Sequence, residues 1–294
     1  MKPLHLLAAI GVVAIWGCNF VVIKLGLDEL PPLLLCALRF LFAALPAVFF
    51  IKRPDIPFSG IIAYGLVMFG LQFAFLFGGM ALGISAGLAS LALQLQSFLT
   101  IALAAWLLGD RPTYFQVGGA LLALGGIAVV GTNTGGDVSI LGLTAVILAA
   151  LAWACGNLMS KRFGRVNMFA LVVWASLVVP LPIFALSLAL EGPALIGRSI
   201  AGMTWGAVAS IAYLAYPTTL LGFAVWNRLL NLYPVASVAP LTLLVPVFGI
   251  ASSVVVLQED VQAWKAVAFV LVILGLCVNQ FGARLYAGMK GAQA

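Results

Sequence analysis

Trp16-Gly17-Cys18-Asn19 sits midway along the first apolar stretch of the chain, and Lys24 follows eight residues after the tryptophan. Trp153-Ala154-Cys155-Gly156-Asn157 returns the same landmarks, again with a lysine eight residues on, at Lys161. Seven Trp and four Cys are too few to place Trp-x-Cys ahead of Lys at one spacing twice by accident. The two stretches therefore mark an internal repeat offset by 137 residues, and the chain reads as a duplicated five-segment unit.

Of the 294 residues, 64% are hydrophobic and 7% charged. No water-soluble core takes up that much apolar surface, so lipid is the solvent for most of the chain. The formal charge of +6 comes from basic residues scattered at segment ends, without a stripe or interleaved aromatics, which argues against a nucleic-acid surface. Cys18, Cys36, Cys155 and Cys277 all fall inside apolar segments, where they act as small hydrophobes; no disulfide or metal framework is expected. The first segment runs about 20 residues from Leu6 to Asp28-Glu29 without an A-x-A-like end, and reads as a retained spanning helix rather than a leader.

Spanning helices are expected at approximately 6–26, 32–51, 59–80, 85–108, 113–131, 139–160, 168–190, 203–226, 235–256 and 263–284. Short polar or Pro/Gly-containing connections separate them, among them Lys52-Arg53-Pro54-Asp55 and Gly109-Asp110-Arg111-Pro112. With the N-terminus in the cytoplasm, Lys2, Lys52, Arg53, Arg111, Lys161, Arg162, Arg165, Arg228, Arg284 and Lys290 all lie inside, against Lys24, Arg198 and Lys265 outside. Both termini are then cytoplasmic. An odd number of helices per repeat makes the second half enter from the opposite side, so 1–137 and 138–294 are expected to be inverted copies, which suits alternating access. The later helices align at a different offset, 149, pairing the Asp110 turn with the Glu259 turn and Gly126 with Gly275. Only six of the 42 residues from Ser85 to Gly126 match identically, so the polar landmarks carry this alignment. The difference between offsets falls in a longer outer connection around Glu191 to Ser199.

Residues three or four apart share a helix face, so Trp16, Asn19 and Ile23 form one stripe and Trp153, Asn157 and Lys161 another. Both tryptophans lie near mid-span, away from the interfacial belt. Two readings stand: an amide bonded across a helix contact as packing glue, or a pair of indole and amide patches facing a central cavity from the two halves. Gln72, Gln94, Gln96, Ser97, Thr100, Tyr213, Tyr216, Thr218, Thr219, Trp226 and Thr242 add intramembrane polarity, which must face protein or water because an unpaired polar group in hydrocarbon costs several kcal/mol, roughly. Pro217 in the eighth segment, and Pro240 and Pro246 in the ninth, remove backbone donors and mark these two as the bending or gating helices. Arg39 is the one charge well inside a span; it either snorkels, pairs with Asp28 or Glu29, or recognises a substrate carboxylate. Lys24 and Lys161 read as helix-end lysines reaching headgroups. Gly79, Gly83 and Gly87 read as a tightly packed outer corner between the third and fourth segments.

Every acidic residue lies in or next to a connection, so no buried carboxylate offers a proton relay or sodium site. No phosphate loop, HExxH or nucleophile, acid and base set occurs, which argues against an enzyme; no cofactor is expected.

The Trp16-Gly17-Cys18-Asn19-Phe20 run, Arg39-Phe40, the acidic turns Asp110-Arg111 and Glu259-Asp260, and the Gly-rich fifth and tenth segments resemble the EamA branch of the drug/metabolite transporter superfamily over nearly the whole chain. Within it the chain is most similar to bacterial inner-membrane amino-acid exporters of the YddG type. The resemblance implies a ten-helix all-α basket, with helices other than the fifth and tenth around a central cavity. The chain departs from the family pattern at Ser97, which stands where the second half has Pro246.

The reading that follows is an exporter of amino acids and other small amphipathic metabolites in the bacterial inner membrane, acting as a facilitator. Its expected substrate-binding residues are Trp16, Asn19, Arg39, Gln72, Gln94, Trp153, Asn157 and Tyr213. Beside it stand export of a drug-like cation or nucleotide sugar on the same fold, a channel, and an intramembrane enzyme or structural protein. The sequence sets no oligomeric state, and a monomer suffices.

Overall fold

A computed structural model describes residues 1–136 and 138–291; Asp137, residues 292–294 and the side chains at 235, 236, 284 and 287–291 (Arg284 and Lys290 among them) lie outside the described residues. Ten helices among them are long and apolar enough to cross a membrane: α1 (Pro3–Leu27), α2 (Pro32–Phe49), α3 (Phe58–Ala81), α4 (Ala86–Leu108), α5 (Tyr114–Thr132), α6 (Ile140–Arg162), α7 (Met168–Leu190), α8 (Trp205–Leu232), α9 (Ala239–Leu257) and α10 (Ala263–Ala283). Most ends fall within three residues of those expected. α8 runs six residues further than hydropathy indicates, because Asn227, Arg228 and Asn231 lower the apolar average while the backbone stays helical. The longer outer connection holds a short helix, Pro193–Ala201, which opens after Gly192 at φ +83° and buries Ile196. That insertion separates the two repeat offsets.

The duplication is visible in the backbone. Segment Leu95–Leu108 of α4 and segment Leu244–Leu257 of α9 begin and end at matching positions 149 residues apart. Each stops at a left-handed residue, Gly109 at φ +71° and Gln258 at φ +54°. Beyond it the N–H of Asp110 reaches Ala104 C=O at 3.4 Å, as Glu259 N–H reaches Ser253 C=O at 3.3 Å. α5 and α10 pack antiparallel through small residues: a Cβ on Gly275 would stand 2.5 Å from Gly119 O, and one on Gly126 would stand 2.8 Å from Ala268 O. At offset 149 Gly119 corresponds to Ala268 and Gly126 to Gly275, so this contact maps onto itself with partners exchanged. An antiparallel contact with that property places a pseudo-two-fold axis in the membrane plane, and the two halves are inverted repeats.

Departures from α-helical geometry repeat as well. A π-helical stretch interrupts α3 at Gly65–Leu71 and α8 at Leu214–Leu221. α4 loosens into a turn at 93–94, and α9 is entered through a 3-10 stretch at Ala239–Leu243. Proline accompanies only the second member of each pair, Pro217 in α8 and Pro240 at the entry to α9; Pro246 is buried in the α-helical part that follows. The bends are therefore a property of the repeat, which proline marks in one half only. In α3 the corresponding device is Gly65, where a Cβ would stand 2.6 Å from Ala175 O, letting α3 and α7 meet backbone to backbone.

Candidate functional site

Arg39 is 2% exposed and lies among aromatic rings. Its guanidinium carbon stands 4.0 Å from the Phe73 ring centroid, 5.3 Å from Phe40 and 6.0 Å from Phe77. Nη2 donates to the Thr219 hydroxyl at 3.3 Å, and that hydroxyl donates to Leu214 C=O at 2.9 Å, the five-residue reach set up by the π-helical stretch of α8. Nε and Nη1 are buried without an acceptor. Neither snorkelling nor pairing with Asp28 or Glu29 therefore describes Arg39. Those carboxylates are taken at the helix ends: Asp28 by Lys24 at 2.6 Å, and Glu29 by the Thr204 hydroxyl at the start of α8. The two lysines are likewise paired rather than free for headgroups, Lys161 with Asp110 at 2.9 Å.

α1 is tied to α8 at two levels beside this arginine. The Trp16 indole N–H donates to Thr218 C=O at 3.0 Å, and the Tyr213 hydroxyl donates to Ile15 C=O at 3.0 Å. Gly222 makes room for the indole, since a Cβ there would stand 2.7 Å from Trp16 Nε1, and Phe223 and Trp226 flank it with centroids 5.6 and 5.1 Å away. Asn19 is buried and its Oδ1 has no donor. Gly26, one heptad further along α1, faces Leu35 of α2 and Ser210 of α8, with 2.9 and 3.5 Å left for a Cβ. Seven residues bring a helix back nearly to the same face, so Asn19 shares the face of α1 that Gly26 turns towards α2 and α8. Gln72, next to Phe73 on α3, is buried with Nε2 unpartnered, and the Thr218 hydroxyl is buried without a partner. Buried polar groups are normally bonded, and each orphan costs about 1–3 kcal/mol, so these four side chains on α1, α2, α3 and α8, with Asn227 Nδ2 further along α8, are the candidates for contact with a ligand.

The remaining expected residues gather elsewhere. Asn157 on α6 donates to Gln96 Oε1 at 3.0 Å and to the Thr100 hydroxyl at 3.1 Å, bonding α6 to α4. Trp153 packs half-buried against the main apolar core, and Gln94 occupies the turn that interrupts α4. The two amides are not equivalent positions: offset 137 matches Asn157 to Phe20 and Asn19 to Gly156, a difference of one residue and about 100° around the helix. Gly156 is where Met68 of α3 closes in, with Sδ 2.5 Å from a would-be Cβ. The indole and amide patches therefore do not form a matched pair.

In the sequence the carboxylates stand as loop and repeat landmarks and as possible partners of Arg39, without the helix starts that they cap. On the face opposite the termini they join the halves: Glu191 accepts from the N–H groups of Leu33 (2.7 Å) and Leu34 (3.2 Å), and Glu259 from those of Ala86 (2.8 Å) and Gly87 (3.2 Å). A negative charge at a helix N-terminus satisfies orphan donors and complements the helix dipole. The offset of 149 pairs Glu259 with Asp110 but carries no sign of the N–H groups on α4 that Glu259 caps. The corner between α3 and α4 is tight at Gly79, where a Cβ would fall 2.8 Å from Gly142 O, but not at Gly83, whose nearest neighbour, Ser139, would stand 3.5 Å away. A small cavity of about 120 Å³ lies here between α4, α9 and α10, lined by Ser85, Gly87, Ile250, Ser253, Glu259 and Lys265 among others. Another lies between the α5–α6 and α9–α10 connections, and neither is lined by an expected substrate-binding residue. Among the described residues no three His, Cys, Asp or Glu side chains gather as metal ligands.

Comparison with known proteins matches the EamA-like transporter family at residues 3–132 and again at 140–280, the two halves separately. A relative from Escherichia coli strain K12, named "Probable amino-acid metabolite efflux pump", is 41% identical over 288 residues, 96% of each chain. Its counterpart in Salmonella typhimurium strain LT2, with the same name, is 42% identical over 94% of this chain and 95% of the relative. A "Probable terminal-alkyne amino-acid exporter" of Streptantibioticus cattleyicolor is 26% identical over 84% of this chain and 83% of that one. A solved crystal structure with 22% identity and a TM-score of 0.65 covers 97% of this chain and 99% of its own, and shares the fold.

Proposed function

The chain belongs to the EamA-like transporter family, and on that premise we propose that it exports amino acids and related small amphipathic metabolites by alternating access, with Arg39 reading the substrate carboxylate. The carrying observation is the buried guanidinium with two unpartnered nitrogens. An uncompensated cation inside a span is costly, and a carboxylate that accepts in bidentate fashion from Nε and an Nη offsets much of that cost. The names of the relatives support the substrate class. Phe73 and Trp16 offer ring faces to the apolar part of the substrate, while Asn19, Gln72 and Tyr213 supply neutral polar contacts without a fixed charge. Gln94, Trp153 and Asn157 form the wall contributed by α4 and α6 as the halves 1–137 and 138–294 rearrange, with flexing at Pro217, Pro240 and Pro246. Largely uncharged contacts imply broad selectivity and modest affinity. A drug-like cation carries the wrong sign for Arg39. On this reading the protein is a carrier and not an enzyme, set in the inner membrane with both termini cytoplasmic, and the mechanism needs no more than one copy.

Purified protein in liposomes should show saturable counterflow of labelled amino acids, competed by free amino acids and not by their methyl esters. Arg39→Gln should lower that flux by about tenfold or more, as loss of one charge-assisted bidentate contact implies. Unchanged flux in Arg39→Gln would remove it from the site. Absence of amino-acid counterflow would overturn the substrate class, and single-channel current steps would replace the carrier by a channel.

A further inference from the structure

Inverted repeats in one fixed state differ from each other where that state differs from its mirror, so broken pseudo-symmetry locates the moving contact. Most of the α4–α5 and α9–α10 geometry obeys offset 149, including the turns that end at Asp110 and Glu259. The carboxylates on those turns do not. Glu259 is half-buried and caps the start of α4 through Ala86 and Gly87, while its counterpart Asp110 is exposed and paired with Lys161. Lys161 corresponds at offset 137 to Lys24, which is held by Asp28 of its own helix. Each face thus carries the same kit, a carboxylate, a lysine from the first helix of a half, and the N–H groups that start the fourth helix of a half. The two faces connect it differently.

We propose that Glu259 and Asp110 are equivalent latches that close in alternation, one per face of the membrane. In the state seen, the latch is shut on the face opposite the termini and released on the face that carries them. In the opposite state Glu259 leaves Ala86 and Gly87 and turns to Lys24, while Asp110 leaves Lys161 and caps the corresponding N–H groups of Val235 and Ala236. The exchange trades a helix cap for a lysine pair on one face and the reverse on the other, and it draws Lys24 away from Asp28. Gly87 is a second sign that the shut latch is a built contact: a Cβ there would stand 2.8 Å from Ser253 Oγ and 3.0 Å from Glu259 Oε2. The inference rests on the alternating-access reading and not on the identity of the substrate.

Distances between spin labels test it in the full chain, with Cys18, Cys36, Cys155 and Cys277 replaced by alanine and the protein in lipid nanodiscs. Leu82→Cys with Val256→Cys reports the latched face, since both positions are exposed and flank the contact. Glu259→Gln and Gly87→Ala, the second keeping the charge, should each raise the ratio of long to short distances about fivefold, the equivalent of one helix cap. Asp110→Asn should lower it by a similar factor, and Glu259→Gln with Asp110→Asn should return it close to the starting ratio. A purely structural role for the two carboxylates would not give opposite signs. Unchanged distances, or shifts in the same direction in Glu259→Gln and Asp110→Asn, overturn the latches and leave amino-acid counterflow standing. A single fixed distance in every variant while counterflow proceeds overturns alternating access with them.

Discussion

At the scale of single residues, the role proposed for Arg39 sets stability against transport. Its charge is offset here by one hydroxyl and by ring faces, of which Phe73 at 4.0 Å is nearest. A desolvated cation–π contact is worth about 2 kcal/mol, less than the several kcal/mol that a buried ion loses on leaving water. Arg39→Met should therefore raise the unfolding temperature in detergent while lowering counterflow by about tenfold or more, because an apolar residue of similar volume removes the desolvation penalty together with the carboxylate contact. A fall in both would make Arg39 a structural residue. Sequence reading picked out this arginine by its depth but not its surroundings. What turns it inward is Leu35, one turn earlier on α2, seated against Gly26 of α1, and the hydroxyl of Thr219 held by the π-helical register. Both are long-range facts. The pairing of Asn19 with Asn157 failed for a simpler reason, since a shared motif one residue longer in one copy turns the amide to another face.

At the scale of helices, close approach is bought with glycine, and two glycines should separate packing from transport. Gly275 sits in the α5–α10 contact, away from every expected substrate-binding residue. Gly275→Val should destabilise the fold by about 1–3 kcal/mol through overpacking, with KM for counterflow unchanged in the protein that survives. Gly222 lies instead under the Trp16 indole. Gly222→Ala should disturb the bond from Trp16 to Thr218 C=O, raising KM severalfold with a smaller loss of stability; equal KM values in the two variants would detach Trp16 from the site. Helix positions were readable in the chain because hydropathy reports lipid contact directly. The π-helical stretch of α3 was not, since Gly65–Leu71 contains no proline and its cause is the backbone of α7 on the other side of Gly65. Pro217 pointed to the matching stretch in α8 only because that half carries the local marker.

At the scale of the whole molecule, the inverted repeat was legible because polar landmarks survive where apolar residues interchange freely. The two offsets, 137 and 149, were also legible, and the short Pro193–Ala201 helix now accounts for the step between them. What energises transport follows from where charge is placed. Glu29, Glu191 and Glu259 lie at one face and Asp110 at the other, and among the described residues no carboxylate sits at mid-span. Proton coupling normally needs a titrating group that both faces reach in turn, which such helix-end carboxylates do not provide. The relatives carry the word "pump" in their names, so the distinction is a sharp one. In proteoliposomes, flux should follow the amino-acid gradient alone, stop when the gradient is spent, and be unaffected by a protonophore. An imposed pH gradient that drives accumulation above equilibrium would show that one of these end-placed carboxylates, or a group from the substrate itself, carries protons across. Under that outcome, loss of the uphill component in Glu259→Gln with counterflow spared would identify Glu259 as the carrier of the proton, whereas its persistence would leave another carboxylate or the substrate.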